Sequence, residues 1–174
     1  SPEKSIILIV DDVPENLLLM AELLKSEYQV KVSNNGERAL KLAAATPRPD
    51  LILLDIMMPG MDGYEVCQRL KEDPVTSGIP VVFLTAKSDT EDERRGLELG
   101  AVDYITKPIS PAIVLKRIKL HLTLQAQSDF LRSKNDFLEA EVSRRTRELG
   151  AIQDVTIMVM ASLAETRDSE TGNH

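Results

Sequence analysis

Three acidic residues occupy positions from which they could bind a metal ion and take part in phosphoryl transfer. Asp11 and Asp12 end one run of aliphatic residues, and Asp55 ends another. If both runs are neighbouring parallel strands, their carboxyl ends meet at one edge of the sheet and the three carboxylates converge. Carboxylates held so close repel one another, which raises at least one pKa unless a cation lies between them. Oxygen ligands with retained waters suit Mg²⁺, so the sequence predicts a magnesium site.

Two further polar residues follow predicted strands. Thr85 comes directly after the apolar residues 81–84, and Lys107 follows the strand-like residues 101–106. Pro108 restricts the backbone of Lys107 to extended geometry, which places its ammonium group over the same edge of the sheet. A nucleophilic carboxylate, two metal-holding carboxylates, a hydroxyl and a fixed cation suffice for in-line phosphoryl transfer to an aspartate.

The elements that must position these residues alternate regularly along the chain. The strand-like segments are residues 6–10, 28–33, 51–54, 81–84 and 101–106, and the helical segments are residues 14–27, 36–45, 63–71, 89–99 and a last one from residue 111. Aliphatic runs without alternation predict strands buried on both faces, hence a parallel sheet covered by helices. With right-handed crossovers, we expect an α/β fold with a doubly wound, five-stranded parallel sheet of order 2-1-3-4-5, as in flavodoxin.

The last helical pattern continues well beyond the predicted sheet domain. Between Pro111 and Glu165 the sequence has no further proline, and a heptad repeat begins at Ser128. The apolar and polar positions along its seam include Leu131, Asn135, Leu138, Val142, Leu149 and Ile152. This pattern predicts a coiled coil, and a seam asparagine is typical of a parallel pair with one register. The alternative is a single solvated helix, which Arg145 at a seam position favours.

Composition limits the classes of function. The net charge of −7 argues against a nucleic-acid-binding surface, because phosphate backbones are bound by Lys and Arg. The single cysteine, Cys67, permits no intrachain disulfide and fits a reducing compartment; its helical segment places it in the core. The sequence shows no signal peptide, and the apolar residues 155–164 are too few to span a bilayer. We therefore expect a cytoplasmic protein that contacts no membrane.

Two enzyme classes of the same architecture fit the motifs less well. A flavodoxin-like cofactor binder needs a phosphate-binding loop after the first strand, where Asp11 and Asp12 would repel a phosphate. A phosphatase of the haloacid-dehalogenase type needs an Asp-x-Asp motif after a strand, and the sequence has none there. Among the remaining candidates, we expect His121 on a helix surface without an acidic partner. Met57, Met58 and Met61 read as apolar anchors of a loop.

Several motifs together resemble the receiver domain of two-component response regulators. They are Asp11-Asp12, residues 53–63, residues 84–86 and residues 104–108, and the resemblance covers about residues 4–122. It implies that Asp55 accepts a phosphoryl group from a histidine kinase, a phosphotransfer protein or a small phosphodonor. It also implies that Asp12 and Asp55 bind Mg²⁺ directly, that Asp11 helps mainly through water, and that the backbone carbonyl of Met57 completes the ligands.

The same resemblance implies a switch. Thr85 would move to bond the phosphoryl oxygens, and Tyr104 would swing inward behind it. The face formed by the fourth helix, fifth strand and fifth helix would change, and a dimeric stalk would carry the change to an output domain. The alternative is a constitutive dimerisation or adaptor module whose receiver does not switch.

The last residues, 161–174, resemble the opening of an HD-GYP domain, a metal-dependent phosphodiesterase of cyclic di-GMP. The resemblance implies that Glu170 and His174 are two of its metal ligands. The His-Asp pair and the Gly-Tyr-Pro motif of that family are absent from the sequence, and two ligands do not make a hydrolytic metal centre. We therefore expect no enzyme activity from this chain, and a division into a receiver (1–122), a stalk (123–160) and a truncated output domain (161–174).

Overall fold

The computed structural model describes residues 2–86 and 90–171, with side chains described as far as Arg167. The strands are β1 (Ile6–Val10), β2 (Gln29–Ser33), β3 (Leu51–Asp55), β4 (Val81–Thr85) and β5 (Asp103–Thr106). The helices are α1 (Pro14–Leu24), α2 (Gly36–Ala44), α3 (Gly63–Glu72), α4 (Thr90–Glu98) and α5 (Pro111–Thr171). Strands and helices alternate along the chain, as the sequence predicts.

The five strands form one parallel sheet of order β2-β1-β3-β4-β5. β1 lies next to β3, with Val10 opposite Leu54, and β3 lies next to β4, with Asp55 opposite Leu84. In the part of the chain that the structure describes, β5 is an edge strand that pairs with β4 alone. The predicted fold class and strand order are confirmed, and with them the expectation that the first and third strands end side by side.

Two apolar layers cover the two faces of the sheet. The first layer contains Leu8, Val10, Ile52, Leu54 and Phe83 together with residues of α2 and α3. The second layer contains Ile7, Ile9, Leu51, Leu53 and Leu84 together with residues of α1 and α5. Because alternate residues of each strand point to opposite faces, an unbroken aliphatic run supplies both layers at once. Cys67 lies buried in the first layer, as predicted.

Local hydrogen bonds set several helix ends. The side chains of Asn35 and Asp62 accept hydrogen bonds from the backbone N–H groups of Arg38 and Glu65, which caps α2 and α3. α1 ends at Leu24, earlier than the predicted residue 27, because the N–H groups of residues 27 and 28 turn back to the Leu24 carbonyl.

The chain divides into two units, residues 1–126 and residues 127–174. The second unit consists, where described, of the later part of α5, and its seam side chains are exposed: Leu131, Asn135, Leu138, Val142, Leu149 and Ile152. The coiled coil stays a prediction, as do the predicted domain boundaries. No helix in residues 2–86 or 90–171 combines the length and the apolar character that crossing a membrane requires.

Candidate functional site

The three acidic residues meet at the carboxyl edge of the sheet. Asp55 is the last residue of β3, and Asp11 and Asp12 follow β1 directly. One carboxylate oxygen from each of the three lies within 4.8 Å of the others. Asp11 and Asp55 are buried, whereas Asp12 is partly exposed. The adjacent strands β1 and β3 thus produce the convergence that the sequence predicts.

The loop between β1 and α1 fixes the orientation of Asp11. Its Oδ1 accepts a hydrogen bond of 2.9 Å from the backbone N–H of Val13, and its Oδ2 accepts one of 3.1 Å from Nδ2 of Asn16. Its backbone N–H donates to the Ser33 carbonyl of β2 at 3.1 Å. The sequence reasoning missed Asn16, although an amide side chain in the first turn of a helix that follows an acidic loop is a usable signal.

Among the described residues, Lys107 is the only lysine or arginine whose side chain forms ion pairs with these carboxylates. Its Nζ lies 3.1 Å from Oδ1 of Asp55 and 3.5 Å from Oδ2 of Asp11. The backbone N–H of Lys107 donates to the Thr85 carbonyl at 2.7 Å, which ties the end of β5 to the end of β4. The peptide bond between Lys107 and Pro108 is cis.

Electrostatics leave Asp55 harder to ionise than an ordinary aspartate. Burial raises its pKa most, Lys107 lowers it, and the carboxylates of Asp11 and Asp12 raise it again, so that the pKa reaches about 6. One ammonium group therefore does not compensate for three carboxylates that share a site. Clustered carboxylate oxygens are acceptor-only ligands that suit a hard divalent cation, so this donor set fits Mg²⁺.

Thr85 brings an unusual hydroxyl to the same edge. It ends β4 beside Asp55, its residue is 1% exposed, and among the described residues its Oγ1 has no hydrogen-bond partner. Buried hydroxyls are nearly always hydrogen-bonded, so an orphaned one calls for an explanation. A ligand with acceptor oxygens that binds beside Asp55 would give this hydroxyl a partner.

The loop after β3 orients its three methionines differently. Met58 is buried and Met61 packs against the first apolar layer, as predicted. The prediction that Met57 anchors the loop through its side chain is wrong, because that residue is 74% exposed. Its position two residues after Asp55 leaves its backbone carbonyl as the predicted ligand, independent of the side chain.

Gly63 allows α3 to begin directly against the end of β3. A Cβ atom at this position would lie 2.3 Å from the Asp55 carbonyl oxygen and 2.7 Å from the Ile56 Cα. The backbone N–H of Gly63 donates to the Ile56 carbonyl at 2.8 Å. The backbone that carries Asp55 is therefore held by a contact that only glycine permits.

We expect Gly63→Ala to destabilise the protein and disturb the site together. Forcing a methyl group against backbone should lower the free energy of unfolding by about 1–3 kcal/mol and weaken Mg²⁺ binding. Urea denaturation and a Mg²⁺ titration would measure both effects. Gly78→Ala is the matched control, since a Cβ at Gly78 meets no heavy atom within 4 Å. Equal behaviour of the two variants would contradict this account.

Tyr104, in the edge strand β5, faces the helix α4. The carboxylate of Glu93 on α4 raises the pKa of the Tyr104 phenol, first through its charge and then through a hydrogen bond. A second tyrosine is also tied to α4, since the Tyr64 hydroxyl donates to Asp92 and the Arg95 guanidinium stacks 4.3 Å from the Tyr64 ring centroid. The predicted switch residue is thus in contact with α4.

The prediction that His121 has no acidic partner is wrong. Nε2 of His121 donates to Oδ2 of Asp103 at 2.9 Å, and Nη1 of Arg117 donates to both oxygens of the same carboxylate at 2.7 and 2.8 Å. Burial alone would raise the pKa of Asp103, but the hydrogen bonds from His121 and Arg117 outweigh it and hold this pKa below its usual value. The rotation of α5 about its axis decides this contact, and the sequence pattern did not specify it.

The two metal ligands predicted for the output domain have side chains outside the described residues. Glu170 falls within the range of α5, but its side chain lies outside the described residues, and so does all of His174.

Comparison with known proteins identifies one family. The sequence model described as "Response regulator receiver domain" matches residues 7–119. A signal receiver domain of a signal transduction histidine kinase from Syntrophus aciditrophicus is similar in structure, with a TM-score of 0.63 and 41% identity; the match covers 68% of this chain and 90% of that one.

Two curated proteins extend the comparison. A protein of Vibrio cholerae named "Probable cyclic di-GMP phosphodiesterase" is 51% identical over 168 residues, which is 97% of this chain and 38% of that protein. Response regulator PleD of Caulobacter vibrioides is 45% identical over 129 residues, which is 74% of this chain and 28% of that protein. The chain therefore spans well under half the length of these relatives.

Proposed function

The chain belongs to the response regulator receiver domain family, and on that premise we propose that Asp55 is the residue of this chain that accepts a phosphoryl group. Receiver domains take part in two-component signalling, and aspartate phosphorylation with Mg²⁺ is typical of the family. The observation that carries the proposal is the meeting of Asp11, Asp12 and Asp55 within 4.8 Å at one end of the sheet. Lys107, 3.1 Å from Asp55, adds the cation that phosphoryl transfer requires.

In the proposed reaction, an oxygen of the ionised Asp55 attacks phosphorus, and the bond from phosphorus to the donor breaks. The donor is a phosphohistidine of a kinase or phosphotransfer protein, or a small acyl phosphate. Asp11, Asp12, Asp55 and the Met57 carbonyl would hold Mg²⁺, which when bound neutralises charge on the phosphoryl oxygens. Lys107 stabilises the same charge from the β5 side, because its ammonium already lies between the carboxylates of Asp55 and Asp11.

Incubation of the protein with acetyl phosphate and Mg²⁺ tests the proposal. We expect the mass of one phosphoryl group to be added per chain, in an acid-stable but base-labile form that maps to the peptide containing Asp55. Chelation of Mg²⁺ should abolish the addition. Phosphate on a different residue, or uptake that is unaffected by chelation, would overturn the assignment.

Thr85 is proposed to bond an oxygen of the phosphoryl group. We expect Thr85→Val to leave the free energy of unfolding unchanged or slightly higher, because the variant removes a buried hydroxyl that has no described partner. The affinity for beryllofluoride, a phosphoryl mimic, should fall about 10- to 150-fold, as expected for a hydrogen bond to a charged group. Denaturation and a fluoride-dependent binding titration would measure the two effects.

Thr76→Val is the matched control for that variant. The Thr76 hydroxyl is buried like that of Thr85, but it donates to the Leu70 carbonyl at 2.7 Å, away from the site. We expect its loss to lower stability while beryllofluoride binding stays unchanged. If Thr85→Val bound the mimic as tightly as the wild type, the proposed role of Thr85 would be wrong.

We further propose that residues 123–160 pair as a parallel dimeric stalk. The supporting observation is the row of exposed apolar side chains at heptad positions, which includes Leu131, Leu138 and Leu149. Lys134 and Glu139 flank this row five positions apart. In a parallel pair such flanking residues of opposite charge meet between the chains, which favours two copies in register.

The output of the signal is proposed from the resemblance of residues 161–174 and from a relative's name. The Vibrio cholerae protein named as a cyclic di-GMP phosphodiesterase matches 97% of this chain, stalk included. We propose that a chain of this kind regulates such a phosphodiesterase domain, to which Glu170 and His174 would contribute metal ligands. This chain alone should not hydrolyse cyclic di-GMP, whereas a protein that continues into the complete domain should.

A further inference from the structure

A partly buried polar cluster joins the edge strand β5 to the helix α5. We call it the β5–α5 clamp; it consists of Asp103, Arg117 and His121. Asp103 begins β5, and Arg117 and His121 lie one turn apart on the same face of α5. The side chains of Asp103 and His121 are only 16% and 11% exposed. Solvent screening, which makes most surface ion pairs weak, is therefore reduced for the contact between Asp103 and His121, whereas the Arg117 side chain is 42% exposed.

The clamp holds the backbone of Tyr104 on both sides. The N–H of Tyr104 donates to Oδ1 of Asp103 at 2.8 Å, and its carbonyl accepts from Nη1 of Arg117 at 3.3 Å. Both peptide groups next to the proposed switch residue are thus bonded to the cluster that also binds α5. A movement of Tyr104 that displaces its backbone must stretch or rearrange these bonds.

The surroundings allow such a displacement. Within residues 2–86 and 90–171, β5 pairs with β4 alone, and its other edge carries no neighbouring strand. A cavity of about 140 Å³ lies beside it, lined by Tyr104, Thr106, Ile113 and Arg117 among others. Ile105, which also lines this cavity, packs in the second apolar layer with Val114 and Ile118 of α5. The apolar contact holds α5 on the sheet, while the polar clamp follows the position of β5.

From these contacts we propose that the β5–α5 clamp transmits displacement of Tyr104 to α5, with Asp103, Arg117 and His121 as positioning residues. This inference rests on the proposed phosphorylation of Asp55 and on the movement of Tyr104 that the family resemblance implies. The apolar packing resists separation of α5 from the sheet but has little directional preference, whereas hydrogen bonds to one carboxylate are directional. A small shift of β5 should therefore change the hydrogen bonds of the clamp before it changes the apolar packing of α5.

The first test observes the clamp directly through the ring of His121. The chain has two histidines, and His121→Gln identifies which proton resonance belongs to His121. We expect beryllofluoride with Mg²⁺ to shift the ring resonance of His121 at constant pH in the wild type. The shift should be lost in Tyr104→Ala, although that variant still binds beryllofluoride. An unmoved His121 resonance in beryllofluoride-bound wild type would overturn the clamp proposal.

The second test measures what the clamp transmits. Sedimentation of the full chain measures its dimerisation constant with beryllofluoride and without it. The ratio of these two constants states how strongly the mimic favours the dimer. Allosteric coupling typically changes such a constant by about 5- to 150-fold. We expect this ratio to fall to about 1 in Asp103→Asn and Arg117→Met, with beryllofluoride affinity within about twofold of wild type.

Matched variants separate transmission from general damage to α5. Lys119→Met removes an exposed cation two residues from Arg117 and should keep the wild-type ratio. His121→Gln retains an N–H donor, so beryllofluoride should change its dimerisation constant more than it changes that of His121→Leu. Retention of the full ratio by Asp103→Asn and Arg117→Met would overturn the proposal.

The two tests also distinguish failure of the clamp from failure of the proposed switch. If the His121 resonance responds to beryllofluoride but wild-type sedimentation does not change, the clamp senses the site without altering dimerisation, and the proposed transmission to the stalk is wrong. If beryllofluoride does not bind to the wild type at all, the assignment of Asp55 fails, and the clamp proposal falls with it.

Discussion

We expect an Asp55→Asn chain to incorporate no phosphate from acetyl phosphate and Mg²⁺. The substitution keeps the shape of the side chain but replaces the nucleophilic carboxylate by an amide. Asp55 is the only described carboxylate that both ends β3 and pairs with Lys107, so we expect no other residue to replace it as the acceptor. Incorporation would be measured by intact-protein mass spectrometry and by peptide mapping under conditions that preserve acyl phosphates. The expected effect is complete loss.

Two controls make the result interpretable. Asp154→Asn removes an exposed carboxylate from α5 and should be labelled like the wild type. Far-ultraviolet circular dichroism of Asp55→Asn should match the wild type, since the substitution leaves the backbone contacts of β3 intact. Undiminished labelling of Asp55→Asn would contradict the assignment of the acceptor.

The same substitution should stabilise the metal-free protein at neutral pH. Burial and the two neighbouring carboxylates raise the pKa of Asp55 from its ordinary 3.8 to about 6. The folded state therefore binds a proton more tightly than the unfolded state does, and the stability due to this difference is fully present below pH 3.8 and lost as the pH rises through about 6. At about 1.4 kcal/mol per pKa unit, ionisation of Asp55 costs the folded state about 3 kcal/mol near neutral pH.

Urea denaturation in the presence of a chelator would measure this effect. The gain in the free energy of unfolding from Asp55→Asn should grow by about 2–3 kcal/mol between about pH 4 and about pH 7.5. Mg²⁺ should reduce the gain by stabilising the wild type more than the variant, because the variant has lost one carboxylate ligand. A gain that is independent of pH would show that charge at Asp55 is not its cause.

Asp103 provides a control of opposite sign. Its pKa is held below the usual value, so its ionised form stabilises the folded state above the ordinary pKa, and that stability is lost as the pH falls through the folded pKa. Asp103→Asn should therefore destabilise the protein more at neutral pH than at acid pH. If both variants changed stability in the same direction with pH, the electrostatic description of the two sites would be wrong.

The raised pKa of Asp55 has a functional meaning. A carboxylate whose ionisation is opposed by its surroundings gains most from any group that delivers positive charge to it. Lys107 supplies part of that charge and a divalent cation would supply the rest. The folded protein is thus least stable when Asp55 is ionised, which is also the form of the carboxylate that can attack phosphorus. Functional sites commonly combine activity with a cost in stability in this way.

Local sequence was sufficient for the scaffold and for the reactive edge of the sheet. Aliphatic runs such as residues 51–54 must be buried on both faces, which requires a parallel sheet covered by helices, and the order of such sheets places the ends of β1 and β3 side by side. Asp11, Asp12 and Asp55 therefore meet for a reason that is readable from the chain. Thr85 and Lys107 follow the same logic, since each stands at or just beyond the end of a strand.

Only the tertiary structure determined the pKa values of those residues and the side chains and backbone that they contact. The raised pKa of Asp55 depends on its burial, and the close approach at Gly63 depends on where α3 meets β3. The contact between Asp103 and His121 joins a strand residue to a helix residue 18 positions later, and it depends on how apolar packing rotates α5. Periodicity states which face of a helix is apolar, but only packing against a particular sheet determines which polar side chains at the border of that face find partners.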